Sequence, residues 1–126
     1  MSVEQIRITI LESENWWSDR CSTALEQAGL SPTRQDPDIA HLNQEGVKDN
    51  LFLIRVPGSR SERLNLARKV CELGGMSLIM ASSEEGYVAM DCMTIGRTAF
   101  LGHENAFSRL IEVARAISSQ REPNST

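Results

Sequence analysis

The chain has 126 residues, 40% hydrophobic and 24% charged, with a formal net charge of -4 and a pI near 5.2. That is the length of one domain, enough to bury a core without disulfide or metal staples. The acidic balance argues against nonspecific nucleic-acid or anionic-membrane binding, and no apolar stretch suits a signal peptide or approaches the roughly 20 residues of a membrane span.

Ile6, Ile8 and Ile10 alternate with Arg7 and Thr9, and Leu11 follows, so the chain opens on a β-branched strand that "ESEN" ends. A helical pattern starts at Asn15, with Trp17, Cys21, Ala24, Leu25 and Ala28 at helical spacing and Gly29 as its stop. "LSPTRQ" is short and contains Pro32, which cannot donate to a ladder, so as a strand it belongs at an edge. "DPDIAHLNQEG" predicts a helix opening at Asp36 and Pro37, with Ile39 and Leu42 on one weak apolar face. Leu51 to Ile54 is a continuous apolar run closed by Pro57-Gly58. A strong helix runs from about Ser61 to Gly74-Gly75, and "MSLIMASS" is a second apolar strand. "EEGYVAMDCMTIG" predicts a helix carrying Val88, Met90, Cys92 and Met93, and "RTAFLG" a fifth strand. A last helix from Asn105 shows Phe107, Leu110, Ile111, Ala114 and Ile117 at the best helical spacing in the chain. The polar residues 119–126 predict a disordered tail or a linker after a domain spanning 1–118.

Strands alternating with helices imply an α/β fold: a doubly wound parallel five-stranded sheet with helices on both faces. The apolar runs at 51–54 and 78–80 suit central strands covered on both sides. Function in such folds sits beyond the carboxyl ends of the strands, here Glu12-Ser13-Glu14, Arg55-Val56-Pro57, Ser82-Ser83 and His103-Glu104. Cys21, Cys71 and Cys92 are odd in number, widely spaced and on predicted apolar faces, which reads as buried free thiols in the cytoplasm. There is no Cys/His spacing for a metal, no GxGxxG or Walker A sequence, and no cysteine in a strand-to-helix loop for redox or phosphocysteine chemistry. No cofactor is expected.

"TIGRTAFLGHEN" resembles the Gly-Ala-x-x-Tyr-Leu-x-Lys-Pro segment of bacterial response-regulator receiver domains, with Gly96, Phe100 and Leu101 in place. His103 stands where the family has its lysine, and Glu104 where it has proline. "PGSRSERLNLARKV" resembles the loop and helix after the acceptor strand, and "SLIMASS" the fourth strand with its terminal hydroxyl, here Ser82. The resemblance covers about residues 5–118 and implies a flavodoxin-like (βα)5 fold of strand order 2-1-3-4-5. It also implies a pocket in which acidic residues and an acceptor aspartate hold Mg²⁺. Glu12 replaces one metal acid, Ser13 does not replace the other, and the acceptor position falls on Arg55. No aspartate lies between Asn50 and Asp91 to take that role.

The resulting expectation is a divergent pseudo-receiver whose degenerate phosphorylation pocket is Glu12, Ser13, Arg55, Ser82 and His103. Arg55 pairs with Glu12 or Glu14 in place of the metal, or is simply solvated. The plainer roles for the others are N-capping by Ser82 and Ser83, a surface His103, and Phe100 in the core or an interface. Trp16 and Trp17 cannot share a helix face; Trp17 fits the apolar stripe, and Trp16 falls at the pocket rim as a candidate anchor. The resemblance implies an interaction face on the fourth helix, fifth strand and fifth helix, with Tyr87, Arg97 and Phe100. The function expected is non-enzymatic: phosphorylation-independent interaction with a protein partner or a second copy, within a larger regulatory protein, with no membrane or direct nucleic-acid contact. The alternative is a small flavodoxin-like enzyme or anion binder using the pocket at the strand ends.

Overall fold

Strands β1 (Ile8–Glu12), β2 (Pro32–Gln35), β3 (Leu51–Arg55), β4 (Met76–Ala81) and β5 (Thr98–Gly102) pair in parallel into one sheet of order β2-β1-β3-β4-β5. Helices α1 (Trp16–Gln27), α2 (Gln44–Val47), α3 (Arg60–Glu72) and α4 (Tyr87–Ile95) lie in the connections. This is the flavodoxin-like topology expected from the alternating pattern, since parallel neighbours need a crossover. The computed structural model describes residues 7–27, 29–56, 59–81, 87–102, 109, 110 and 112. Ile6, Ser82, Ser83, His103, Glu104, most of the last predicted helix and the tail lie outside them.

Alternation along each strand sends side chains to opposite faces. Ile8, Ile10, Leu51, Leu53, Leu78, Met80 and Leu101 pack with Trp17, Cys21 and Leu25 of α1 and with Leu110. Leu11, Phe52, Ile54 and Ile79 pack on the other face with Val47 of α2, Leu66, Ala67 and Val70 of α3, and Cys92 of α4. Leu51 to Ile54 are all buried, which explains why β3 reads as an unbroken apolar run. Pro32 is the first residue of β2, which pairs with β1 alone and is an edge strand as expected.

The segment after β2 departs from the expected helix at Asp36-Pro37. Asp38 accepts the Ala40 N–H and opens one 3-10 turn, Ile39–His41; Asn43 then accepts the Gly46 N–H at 2.8 Å and starts the four-residue α2. A proline disfavours helix in the residue before it, and two caps five residues apart compete with a continuous ladder. Ile39 is exposed, so the apolar spacing with Leu42 does not mark a buried face.

Cys21 and Cys92 are buried and Cys71 only half-buried; all three are free. Burial pushes the Cys21 thiol up to about 12, with Glu12 adding to it, and the Cys92 thiol up to about 11, with Asp91 adding to it. These two are therefore inert as thiolate nucleophiles. Among the described residues, no helix is long and apolar enough to cross a membrane.

The loops at the amino ends of the strands dock tightly. Gly74, at φ +88°, ends α3, and its carbonyl accepts from the Asp49 N–H at 2.9 Å. A Cβ on Gly75 would lie 2.7 Å from Val47 Cγ1 and 2.8 Å from both the Val47 carbonyl oxygen and Val70 Cγ1. Gly75→Ala is expected to destabilise by about 1–3 kcal/mol, because a backbone atom must move. Urea unfolding checks it, and an unchanged midpoint contradicts this close packing.

Candidate functional site

In-register pairing places Glu12 beside Arg55 at the carboxyl ends of β1 and β3. Glu12 is fully buried. Its side chain turns over the first turn of α1: the Trp17 N–H donates to both carboxylate oxygens at 2.8 Å, and the Ser18 N–H lies 3.4 Å from Oε1. The first N–H groups of a helix lack partners within it and carry its positive end. Glu12 thus caps α1 from five residues upstream, which the bend at 13–15 permits. Burial holds its pKa above the ordinary value; the Trp17 and Ser18 N–H groups and the charges of Arg55 and Arg34 pull the other way without cancelling it.

Arg55 is held by three neighbours of different kinds. Its side chain is 15% exposed, and Nη1 lies 3.9 Å from Glu14 Oε1, itself on an exposed side chain. Its guanidinium carbon sits 5.1 Å from the centre of the Trp16 ring, a cation–π distance. Nη1 is buried and makes no hydrogen bond among the described residues. The ion-pair partner is therefore Glu14 and not Glu12, whose oxygens already accept main-chain N–H groups. Glu12 acts on Arg55 through space. Trp16 stands half-buried at the rim, edge-on to Trp17 at 5.4 Å, with Arg20 also 4.8 Å from its ring centre.

A second guanidinium, which sequence reasoning missed, reaches the same strand end. Arg34 donates from Nη2 to the Glu12 carbonyl oxygen at 2.9 Å, and its Nη1 lies 3.8 Å from Asp36. Its signal was the alternation in β2, which turns Arg34 away from the side taken by Thr33 and Gln35. The described site thus comprises Glu12, Glu14 and Asp36 with Arg34 and Arg55. Ser13 is exposed beside it, and Ser82 and His103 lie outside the described residues.

The resemblance implies a divalent cation here, and the donors present do not fit one. A hard cation needs free carboxylate oxygens, whereas both oxygens of Glu12 bind the helix terminus and a guanidinium stands beside it. Among the described residues, no group of three His, Cys, Asp or Glu side chains is placed to hold a metal ion.

The outer face of α4 and β5 is a second region of interest. Met90 and Met93 of α4 are 71% and 83% exposed, while Cys92 is buried. The core takes Cys92 with Ile95, three residues apart, and positions 90 and 93 turn outward. Tyr87 and Phe100 are also exposed. The Arg60 guanidinium carbon lies 4.3 Å from the Tyr87 ring centre, and Arg60 donates two hydrogen bonds to Asp91, at 2.9 and 2.8 Å. That pairing raises the pKa of Arg60 and lowers that of Asp91. Arg97, at φ 49°, donates to the Gly74 carbonyl at 3.1 Å and so anchors the start of β5.

No protein-family model matches the chain, and no curated protein matches it. Solved structures of the same fold do. A response regulator receiver protein from Pseudoalteromonas atlantica superposes with a TM-score of 0.72 at 10% identity, over 92% of this chain and 99% of its own. The receiver domain of a sensor histidine kinase from Pseudomonas aeruginosa, with magnesium coordinated in its active-site cleft, gives 0.65 at 11% identity, over 92% and 99%. A structure described as adenylate cyclase from Rhodopirellula baltica gives 0.69 at 14% identity, over 94% and 90%. At these identities the likeness is one of fold.

Proposed function

We propose that this chain is a receiver-like signalling domain that works without phosphorylation, as a non-enzymatic interaction module of a larger regulatory protein. One observation supports the reading: Arg55 ends β3 in register with a Glu12 engaged by α1, at the position that the resemblance to receivers gives to the acceptor aspartate. A guanidinium is neither a phosphoryl acceptor nor a metal ligand. The arginine supplies permanently the positive charge that a bound cation supplies in a working pocket. In this reading the exposed Ser13 borders a pocket that has lost its reaction, and Ser82 and His103 are proposed as degenerate pocket positions on the resemblance alone.

The interaction face is α4 with β5. Met90, Met93 and Phe100 expose apolar surface beside Tyr87, and methionine is an adaptable contact residue. The partner is a protein or a second copy, and Trp16 contributes chiefly by stacking on Arg55. Free cysteines suit a cytoplasmic setting.

The test is sedimentation velocity across micromolar concentrations, with and without Mg²⁺ and acetyl phosphate, beside an assay for acid-labile phosphate. The expected result is a concentration-dependent dimer indifferent to both additions, with no phosphate incorporated. Met93→Glu should weaken the dimer about tenfold or more, the effect of one charge in an apolar contact. Stoichiometric aspartyl phosphate, or association that responds to it, overturns the reading. A strict monomer removes the second copy and leaves a heterologous protein as the partner.

A further inference from the structure

A cavity of about 210 Å³ opens over the β2 edge of the sheet, on the face covered by α2. Thr33, Thr9 and Phe52 lie side by side in register across β2, β1 and β3 and form its floor. The Thr9 and Thr33 hydroxyls are 3.5 Å apart. Leu42 and Val47 give apolar walls, and Arg7 stands exposed among the lining residues. The space exists because the roof is a 3-10 turn followed by a four-residue helix in place of a continuous helix. The walls are held from behind: Val47 packs on Gly75, and the Asn43 side chain is fixed by the Gly46 N–H.

We propose that this cavity binds a small aromatic carboxylate: one six-membered ring with a hydrogen-bonding edge and one negative charge. An apolar cavity of about 150 Å³ accommodates benzene, so 210 Å³ admits a ring with a substituent or two. The ring rests on the edges of Phe52, Leu42 and Val47, which are 2%, 8% and 1% exposed, so its apolar contact is small and the polar edge carries the affinity. Thr9, Thr33 and Gln35 offer hydroxyl and amide groups to its edge, and hydroxyls both donate and accept. Arg7, which forms no ion pair among the described residues, suits a carboxylate through charge-assisted hydrogen bonds. This inference is independent of the interaction reading. It places a ligand on the helix-covered face of the sheet, whereas the sequence alternative placed one at the carboxyl ends of the strands.

The experiment is an amide-proton NMR titration of the chain with 4-hydroxybenzoate and, separately, its neutral isostere 4-hydroxybenzamide. The expected result is saturable shifts at Thr9, Thr33, Val47 and Phe52, with a Kd of about 0.1–1 mM for the acid. The amide should bind about tenfold more weakly, as loss of one charged contact requires. Arg7→Gln should make the two equal. Thr33→Phe, a cavity-filling change at an exposed edge position, should abolish both with the remaining spectrum retained. Absence of saturable shifts up to about 10 mM overturns the proposal. So do equal affinities for acid and amide in the unaltered chain, or shifts that persist in Thr33→Phe. Should Thr33→Phe fail to fold, Arg7→Gln alone decides it.

Discussion

Arg55→Asp is expected to lower the unfolding free energy by about 2–4 kcal/mol at neutral pH without divalent cations. The substitution removes the cation beside a fully buried Glu12 and sets a new carboxylate between it and Glu14. Carboxylates sharing a pocket repel, and one of them must take up a proton to relieve it. It also removes the guanidinium stacked on Trp16. Arg55→Met separates these effects. It keeps an apolar stem over the ring and creates no repulsion, so its cost should be nearer 1 kcal/mol. Guanidinium-chloride unfolding of both variants checks the order. An unchanged midpoint for Arg55→Asp means that the arginine is a solvated surface group and that the pocket has no need of its charge.

Glu12→Ala should cost about 3 kcal/mol, for a different reason. It strands the buried Trp17 N–H, loosens the half-buried Ser18 N–H and removes the negative charge at the positive end of α1. Glu12→Gln tests the ionisation separately. Burial raises the Glu12 pKa in the folded chain above its ordinary 4.5. In the window from 4.5 up to that raised value, the unfolded chain has released the proton while the folded chain retains it. The unfolded state binds fewer protons there, so the Glu12 contribution to stability falls as pH rises and is level above the window. Glu12→Gln should remove that decline and leave the other carboxylates' dependence in place. A pH–stability curve identical in the two proteins shows that Glu12 ionises in the folded chain as it does in the unfolded one. The N–H groups and the two guanidinium groups would then fully offset its desolvation.

Much of the architecture was legible because it depends on local periodicity. Alternation in β1, the unbroken run in β3, Pro32 at the start of β2 and the glycine after α3 each have a near-neighbour cause. The segment after β2 was misread because Asp38 and Asn43, both competent caps, lie close enough to break one helix into two pieces. The exposure of Met90 and Met93 was not legible, because helical spacing groups residues on a face without saying which face the core covers.

At the candidate site, composition and order alone placed a guanidinium at the end of β3 and acids at the end of β1, and left no aspartate to replace it. Sequence left Arg55 three outcomes: a pair with Glu12, a pair with Glu14, or solvation. Only the tertiary structure could choose among them, because the choice turns on how deeply Arg55 is buried and where the Glu12 oxygens go. They go to the α1 terminus, since desolvating a carboxylate on a sheet is tolerable only where backbone donors meet it. Arg34 entered the site for the same kind of reason: strand register brings it to the Glu12 carbonyl from 22 residues away. The cavity over Thr9 and Thr33 likewise depends on how far a short helix reaches across the sheet, a distance set by packing between segments remote in the chain.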